Sequence, residues 1–248
     1  MLIYCFKLKR SEMVEKKYLN LDLDLTIKDL TVHDEVIEIH PDFFSLPTNI
    51  IYYGKSSAGK SNTILNNLKW LKPYVNGRVI VFMKSTNGSI STLKKTHGAK
   101  IYNTLFDSNG KNRIEKIMEY QKMRKDSGEK LENIIILLDD FITDRSITKK
   151  GSIYEDLFSF GRHFNITTML TAQSFVQVPA VLRRLSFNDI IYKMSNRKEK
   201  DLMCYEMCNA VNLTEREFEK VYDDAVEQPY SFLYVNKRKG TYNTRFGK

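Results

Sequence analysis

The segment Gly54-Lys55-Ser56-Ser57-Ala58-Gly59-Lys60-Ser61 constrains this chain more than any other feature. It matches the pattern G-x-x-x-x-G-K-[ST] at every position, and it follows a β-branched run, Asn49–Tyr53, and precedes a predicted helix, Lys60–Leu71. Glycines at both ends of such a loop let the backbone wrap a phosphate, so that successive amides and the helix N-terminus face it. We therefore predict a phosphate-binding loop over Gly54–Ser61, extended by Asn62.

Two side chains of this loop are suited to a magnesium-bound triphosphate. Lys60 provides a positive charge for the β- and γ-phosphates of ATP. Ser61 provides a hydroxyl oxygen, the kind of ligand that Mg²⁺ prefers. ATP and Mg²⁺ are the ligands that the sequence predicts.

A second motif, Asn133–Asp140, is an apolar run that ends in two carboxylates. This is the pattern of a buried parallel strand with acids at its carboxyl end. Asp139 is placed to hold Mg²⁺ through water, and Asp140 to orient and deprotonate the attacking water. About eighty residues separate the two motifs, and we expect an additional strand to lie between the two motif strands in the sheet.

A third apolar strand is predicted over Thr167–Thr171, and Gln173 follows its end. A neutral amide at this position can hydrogen-bond both the γ-phosphate and the lytic water. Gln173 is therefore a candidate sensor, although a glutamine that caps a loop would have the same spacing.

From residue 48 onward, short apolar runs alternate with helical patterns, as in parallel βαβ architecture. The fold class that we predict is α/β, a P-loop NTPase of the RecA/ASCE-like type with a mostly parallel sheet flanked by helices. Further strands are expected at 78–83, 100–102 and 189–193, further helices at 111–125, 152–163, 197–209 and 214–224, and a terminal hairpin over 230–235 and 240–246.

The first part of the chain has a different pattern of polar and apolar residues. Residues 1–47 are polar and charged, with period-two alternation over Leu21–Leu25 and Val36–Ile39. We predict an N-terminal extension of edge strands there, packed on an ATPase core over residues 48–248 that ends in a basic tail.

Composition restricts the class of protein. No apolar stretch has the length of a membrane helix, and the charged N-terminus does not resemble a signal peptide, so we expect a protein that is neither membrane-bound nor secreted. Cys204 and Cys208 are four residues apart on a predicted helix, where buried free thiols are commoner than a metal site, and Cys5 is isolated. The net charge of +9 is compatible with a polyanionic partner.

Taken together, these motifs resemble those of the poxvirus-type packaging ATPases, which also occur in giant viruses and virophages and belong to the FtsK–HerA superfamily. The resemblance covers about Thr48 to Lys193. Beyond the shared nucleotide motifs, it depends on the run Phe160-Gly161-Arg162-His163-Phe164-Asn165, and on Gln173 followed by Val178-Pro179. Many cellular members have Glu where Asp140 stands, and we expect this chain to lack their extra domains.

The resemblance implies a ring, hexameric or pentameric, that hydrolyses ATP between subunits and moves double-stranded DNA into a capsid. It implies contacts with capsid or portal-vertex proteins, and a location in the host cytoplasm or viral factory and in the virion. Arg162 would be the finger that reaches a neighbour's γ-phosphate. Arg183 and Arg184 are alternative fingers or DNA contacts, and a solvated basic turn would explain them equally well.

A translocating motor holds the DNA backbone without reading bases, so cations in loops are its candidate contacts. We expect loops or turns at Lys84 with residues 85–91, at Lys94-Lys95, at Lys149-Lys150 and at Lys237-Arg238-Lys239. For each of these, an ordinary solvated position is the simpler explanation.

Two other functions are compatible with the sequence. One is a helicase or DNA-transfer motor of the same superfamily. The other is a nucleotide-binding capsid component that does not hydrolyse ATP, against which the intact Asp139 and Asp140 argue.

Overall fold

The computed structural model describes residues 46–75, 78–84, 89–141 and 152–244. The predicted N-terminal extension lies outside these residues, except for its last two positions, as do Cys5, Lys149 and Lys150. The predicted domain boundary at residue 48 therefore stays a prediction.

The centre of the molecule is an eight-stranded sheet with the order β3-β2-β4-β5-β1-β6-β7-β8. The strands β1 to β6 run parallel, and β7 and β8 are antiparallel additions at one edge. The strands are β1 (Asn49–Tyr53), β2 (Val79–Met83), β3 (Lys100–Tyr102), β4 (Ile134–Asp139), β5 (Ile166–Ala172), β6 (Asn188–Tyr192), β7 (Phe232–Asn236) and β8 (Thr241–Thr244). The predicted fold class is confirmed, and so is the terminal hairpin.

Seven α-helices connect the strands of the described part of the chain. They are α1 (Lys60–Leu71), α2 (Ser89–His97), α3 (Arg113–Asp126), α4 (Ile153–Phe160), α5 (Ala180–Leu185), α6 (Arg197–Met207) and α7 (Glu215–Ala225). Helix α7 begins with a capping box, in which Thr214 and Glu217 satisfy each other's backbone amides.

Both faces of the sheet are buried, which explains the continuous apolar runs of its strands. In β1, Ile50 and Tyr52 belong to one apolar cluster, whereas Ile51 and Tyr53 belong to the cluster on the opposite face. Helices α1 and α2 cover the first face, and α4, α6 and α7 contribute to the second.

The additional strand between the two motif strands is β5, which pairs with β1 on one side and β4 on the other. It follows Asp139 in sequence, while β2 and β3, which lie between the motifs in sequence, continue the sheet beyond β4. The additional strand is therefore confirmed, and it comes from the segment that also carries Gln173.

Two short helices differ from the sequence prediction. Residues 89–97 form α2, so the placement of Lys94 and Lys95 in a loop was wrong: they lie in the last turn of a helix. The polar composition of this segment concealed the helix, in which Leu93 is buried. Residues 180–185 form α5, a helix too short to show a clear apolar period.

Within the described ranges, no helix combines the length and the apolar character that crossing a membrane requires.

Candidate nucleotide site

The predicted phosphate loop joins β1 to α1 at the carboxyl edge of the parallel strands. Gly59 has a φ of 101°, and Ser57 has a φ of 62°, so the loop turns back on itself before the helix begins. The amide of Ala58 donates to the Lys55 carbonyl at 3.2 Å, which closes the turn. At Gly54, an added Cβ would lie 2.8 Å from Cβ of Tyr192, so no larger residue fits there. Gly59 is thus required by its backbone conformation, and Gly54 by the close approach of Tyr192.

The first turn of α1 is available to an anion. The helix begins at Lys60, no side chain caps it, and its first turn contains no acidic residue. Uncapped amides at a helix N-terminus carry partial positive charge and need acceptors. Ser61 and Asn62 are half-buried in this turn. The loop and the helix end together form the concave, positively polarised surface that a phosphate group fits.

Lys60 folds back over the loop. Its Nζ donates to the carbonyls of Lys55, at 3.0 Å, and of Gly54. Burial lowers the pKa of this ammonium group, while the charges of Asp140 and Asp139 act in the opposite direction. The Lys60 ammonium and the two carboxylates therefore interact across one site.

The two acids are held by the additional strand β5. Thr171 Oγ1 donates to Asp139 Oδ1 at 2.8 Å and accepts from the amide of Asp140 at 2.9 Å. Asp140 has a φ of 54°, a left-handed conformation that lets the backbone turn sharply after β4. One buried hydroxyl thus fixes both the Asp139 carboxylate and the backbone from which Asp140 projects.

Burial raises the pKa of Asp139, and the neighbouring charge of Asp140 adds to this effect. The hydrogen bond from Thr171 and the charge of Lys60 act against it. Such a carboxylate is incompletely compensated by the protein alone, and a cation beside it would lower its free energy. The Asp139 carboxylate therefore fits a divalent metal ion.

Gln173 completes the group of polar side chains at this edge. It follows β5 directly, and its Nε2 lies 3.4 Å from Asp140 Oδ1. The sequence-predicted residues Lys60, Asp139, Asp140 and Gln173 are thus brought to one edge of the sheet by three adjacent strands.

The turn after Gln173 is anchored by residues that the sequence did not reveal as part of a site. The carboxylate of Glu199, on α6, accepts a hydrogen bond from the amide of Phe175. Arg183 donates to the carbonyl oxygens of Phe175 and Val178, and its guanidinium lies 4.7 Å from the Phe175 ring centre. We refer to residues 173–178 as the sensor turn.

Arg183 is therefore not a free finger or DNA contact, and that alternative was wrong. Its guanidinium is buried and forms a bidentate pair with Glu206, at 2.6 and 2.8 Å. Four of its five N–H donors are used by two carbonyls and a carboxylate, so the group is fixed within the chain. The adjacent Arg184 is exposed.

Lys237 is also committed within the chain, which corrects its prediction as a DNA contact. Its Nζ lies 2.6 Å from the fully buried carboxylate of Asp189 and donates to the carbonyl of Arg183. Because Asp189 needs a counter-charge in the core, Lys237 has a structural task.

Arg162 lies away from the phosphate loop of its own chain. It belongs to the short turn Gly161–Phe164, which precedes β5, whereas the phosphate loop follows the carboxyl edge of the sheet. Seven residues of strand, about 20 Å, separate the two edges. The Arg162 guanidinium lies 4.3 Å from the Phe187 ring centre, and its buried Nε has no hydrogen-bond partner within the described residues.

Thr171, Tyr192 and Glu199 are the site residues that sequence analysis missed. For two of them the signal was a polar residue at a position where an apolar one is expected. Thr171 lies in an apolar strand, and Glu199 lies on the buried side of a helix. Cys204 and Cys208 are buried and free, as predicted.

Comparison with known proteins gives structural relatives only. No protein-family model and no curated protein matches the sequence. Among solved structures, the genome packaging NTPase B204 from Sulfolobus turreted icosahedral virus 2, in complex with AMP, superposes with a TM-score of 0.60 at 15% identity. The match covers 83% of this chain and 100% of that chain.

Two further solved structures are similar over less of their length. The pCW3 conjugation coupling protein TcpA gives a TM-score of 0.50 at 13% identity, covering 77% of this chain and 58% of that one. EssC (ATPases 2 and 3) from Geobacillus thermodenitrificans gives 0.50 at 18%, covering 63% and 34%. At such identities the similarity establishes a shared fold, an α/β sheet flanked by helices as in P-loop NTPases.

Proposed function

We propose that this chain is an ATPase that translocates double-stranded DNA, and that it packages a viral genome into a capsid. The observation that carries the ATPase proposal is the meeting of the phosphate loop, Lys60 and the Asp139-Asp140 pair at one edge of the sheet. The genome packaging proposal is supported by the likeness to B204, which matches over its whole length.

In this proposal, residues 54–62 hold the phosphates of ATP through backbone amides, and Lys60 exchanges its loop carbonyls for the β- and γ-phosphates. Ser61 and Asp139 hold Mg²⁺, which would neutralise charge on the phosphate oxygens. Lys60 lies beside Asp139 and Asp140. Burial lowers the pKa of its ammonium group, and a bound phosphate would raise that pKa again by stabilising the positive charge.

Asp140 then accepts the proton of the attacking water and orients that water. The Thr171 hydroxyl keeps the Asp140 backbone in place, and Gln173 lies within hydrogen-bonding range of the carboxylate. Gln173 is connected through the sensor turn to Glu199 and Arg183. A movement of Gln173 is therefore transmitted to α6 through these hydrogen bonds.

A second observation supports a polyanionic partner. The sequence from Phe43 to Phe106 contains no acidic residue. Its cations are Lys55, Lys60, Lys69, Lys72, Arg78, Lys84, Lys94, Lys95 and Lys100. Over this length, a solvated surface ordinarily carries both signs of charge.

The fold gathers several of these cations at the edge opposite the nucleotide site. Lys69 and Lys72 lie at the end of α1, Lys94 and Lys95 in the last turn of α2, and Lys100 at the start of β3. We call these five residues the cationic edge. Lysines are common near helix C-termini, where they interact favourably with the helix dipole. Here Lys72 and Lys69 also lie close enough to His97 to affect its pKa. The pKa of His97 is lowered to about 4, first by burial and then by Lys72 and Lys69.

Phosphate release in the presence of blunt duplex DNA tests the translocase proposal. We expect duplex to stimulate hydrolysis more than single strands do, because a packaging motor holds the intact double helix. A helicase would show the opposite preference. A DNA-transfer motor, the second candidate that the likeness to TcpA favours, would share the duplex preference and would be distinguished by failing to fill capsids.

A double variant and a matched control test whether the cationic edge binds duplex DNA. Replacing Lys94 and Lys95 together by alanine should weaken duplex binding and reduce the slope of log affinity against log salt by about two. Replacing the exposed Lys122 and Lys198, which lie on α3 and α6, removes equal charge elsewhere. Equal losses in both double variants would show that only net charge matters, and would contradict a DNA contact at this edge.

A further inference from the structure

Tyr230 presents a large aromatic ring beside the phosphate loop. Its side chain is 63% exposed. If Gly59 carried a Cβ, that atom would lie 3.5 Å from Tyr230 Cδ1. The ring therefore lies directly over the backbone from which α1 begins.

The topology explains how a residue so distant in sequence reaches this place. Strand β7 is antiparallel to β6, and Phe232 pairs with Tyr192 at the carboxyl end of β6. The turn that precedes β7, which contains Tyr230, is therefore at the same edge as the phosphate loop. The buried ring of Tyr192 packs beneath both glycines of the loop and completes the wall on this side.

The order of the strands places the two acids and Tyr230 on opposite sides of the phosphate loop. Asp139 and Asp140 follow β4, which is separated from β1 by β5, whereas Tyr230 precedes β7, which is separated from β1 by β6. A nucleotide whose γ-phosphate faces the two acids must extend the other end of the molecule away from them. That end carries the base, and the side of the loop opposite the acids is the side of Tyr230.

The backbone of Tyr230 is also unusual for its residue type. It has a φ of 64°, in the left-handed region that bulky side chains rarely adopt. Glycine or asparagine would occupy this conformation at lower cost. Exposed tyrosines are common on protein surfaces, but this one combines an unfavourable backbone with a position against Gly59, which has no side chain of its own.

We propose that Tyr230 is the stacking platform for the base of the bound nucleoside triphosphate. This inference rests on the proposed function, because it needs the triphosphate to lie in the phosphate loop. The ring face offers no hydrogen-bond pattern, so the platform selects a planar base without distinguishing adenine from guanine.

Calorimetric titration of the full chain with Mg²⁺ and two ligands, ATP and inorganic tripolyphosphate, tests this. Base stacking on an aromatic side chain contributes enough that Tyr230→Ala should raise the Kd for ATP roughly tenfold. The Kd for tripolyphosphate, which has no base, should not change. Tyr230→Phe and Tyr230→Trp keep a ring and should bind ATP about as tightly as the wild type.

Tyr205 provides a matched control. It is 66% exposed on α6, and Tyr205→Ala should leave both affinities unchanged. Unchanged ATP affinity in Tyr230→Ala, or an equal loss for ATP and tripolyphosphate, would overturn the platform while leaving the phosphate site in place. If the wild type bound neither ligand, the proposed function itself would fail, and the platform with it.

Discussion

Asp139 and Asp140 are neighbours in sequence, but the fold gives them different surroundings. Asp139 ends a buried strand and accepts a hydrogen bond from Thr171, whereas Asp140 begins a left-handed turn and faces Gln173. The first is therefore in a position to hold a cation and the second to reach a water molecule. Neither position depends on the rest of the proposed assembly.

The raised pKa of Asp139 has a consequence for stability. Because the folded protein holds this proton more tightly than the unfolded chain does, the folded state binds more protons in the window between the two pKa values. Stability contributed by Asp139 therefore falls as pH rises from the ordinary carboxyl range through the raised value. At neutral pH the charged carboxylate destabilises the protein in the absence of ligand.

Asp139→Asn should consequently stabilise the nucleotide-free protein at pH 7, and this gain should shrink at acidic pH. The asparagine oxygen can still accept from Thr171, so that hydrogen bond is kept. Urea denaturation at both pH values measures the difference. As a control, Glu119→Gln changes an exposed charge in the middle of α3. A destabilising Asp139→Asn at pH 7 would contradict the account of this carboxylate.

The residues of the phosphate loop and the two acids could be predicted from sequence because their chemistry requires particular residue types in a fixed order. Thr171 could not, because a threonine in an apolar strand is an ordinary sheet former. Only the pairing of β4 with β5 shows that its hydroxyl serves both acids.

Two helices, α5 and α6, fix the position of the sensor turn beside the candidate site. Helix α5 provides Arg183 and α6 provides Glu199, and both side chains hydrogen-bond the turn that follows Gln173, while Glu206 on α6 pairs with Arg183. Burying charged groups is costly, and the cost is offset only when each finds its partners.

Arg183→Met should therefore lower the free energy of unfolding by about 2 kcal/mol or more, because it leaves Glu206 and two carbonyls without their donor. Glu206 keeps a quarter of its side-chain exposure, which places the loss below that of a fully buried pair. Arg184→Met, one residue away and exposed, should change stability by less than about 0.5 kcal/mol. A stable Arg183→Met protein that has lost only its ATPase activity would revive Arg183 as a finger.

The strands were easier to predict than the helices. Parallel strands buried on both faces give continuous apolar runs, and β1 was predicted with its observed bounds, Asn49–Tyr53. Helix α5 was missed because its six residues are too few to show an apolar period, and α2 because it is short and largely polar.

In the whole molecule, Arg162 and the phosphate loop are at opposite edges of the sheet. A finger role for Arg162 thus requires a second subunit, and the proposed ring provides one. Its stacking over Phe187 holds the guanidinium at the turn before β5.

Mixing two inactive variants tests this role. Lys60→Ala lacks a working nucleotide site but keeps the finger, and Arg162→Ala has the reverse defect. If the finger acts between subunits, mixed assemblies should regain phosphate release, since an intact site then meets an intact finger. Each variant alone should stay inactive, with Arg162→Ala still binding ATP. Full activity of Arg162→Ala by itself, or no recovery on mixing, would remove Arg162 from the reaction.

In the proposed function, the edge formed by the phosphate loop and the two acids hydrolyses ATP. Phosphate release by wild type and Asp140→Asn, measured together with ATP affinity, tests this. We expect Asp140→Asn to bind ATP like the wild type and to lose about 10²- to 10⁴-fold in turnover, because only the general base is removed. Turnover by Asp140→Asn at the wild-type rate, with ATP bound normally, would contradict it.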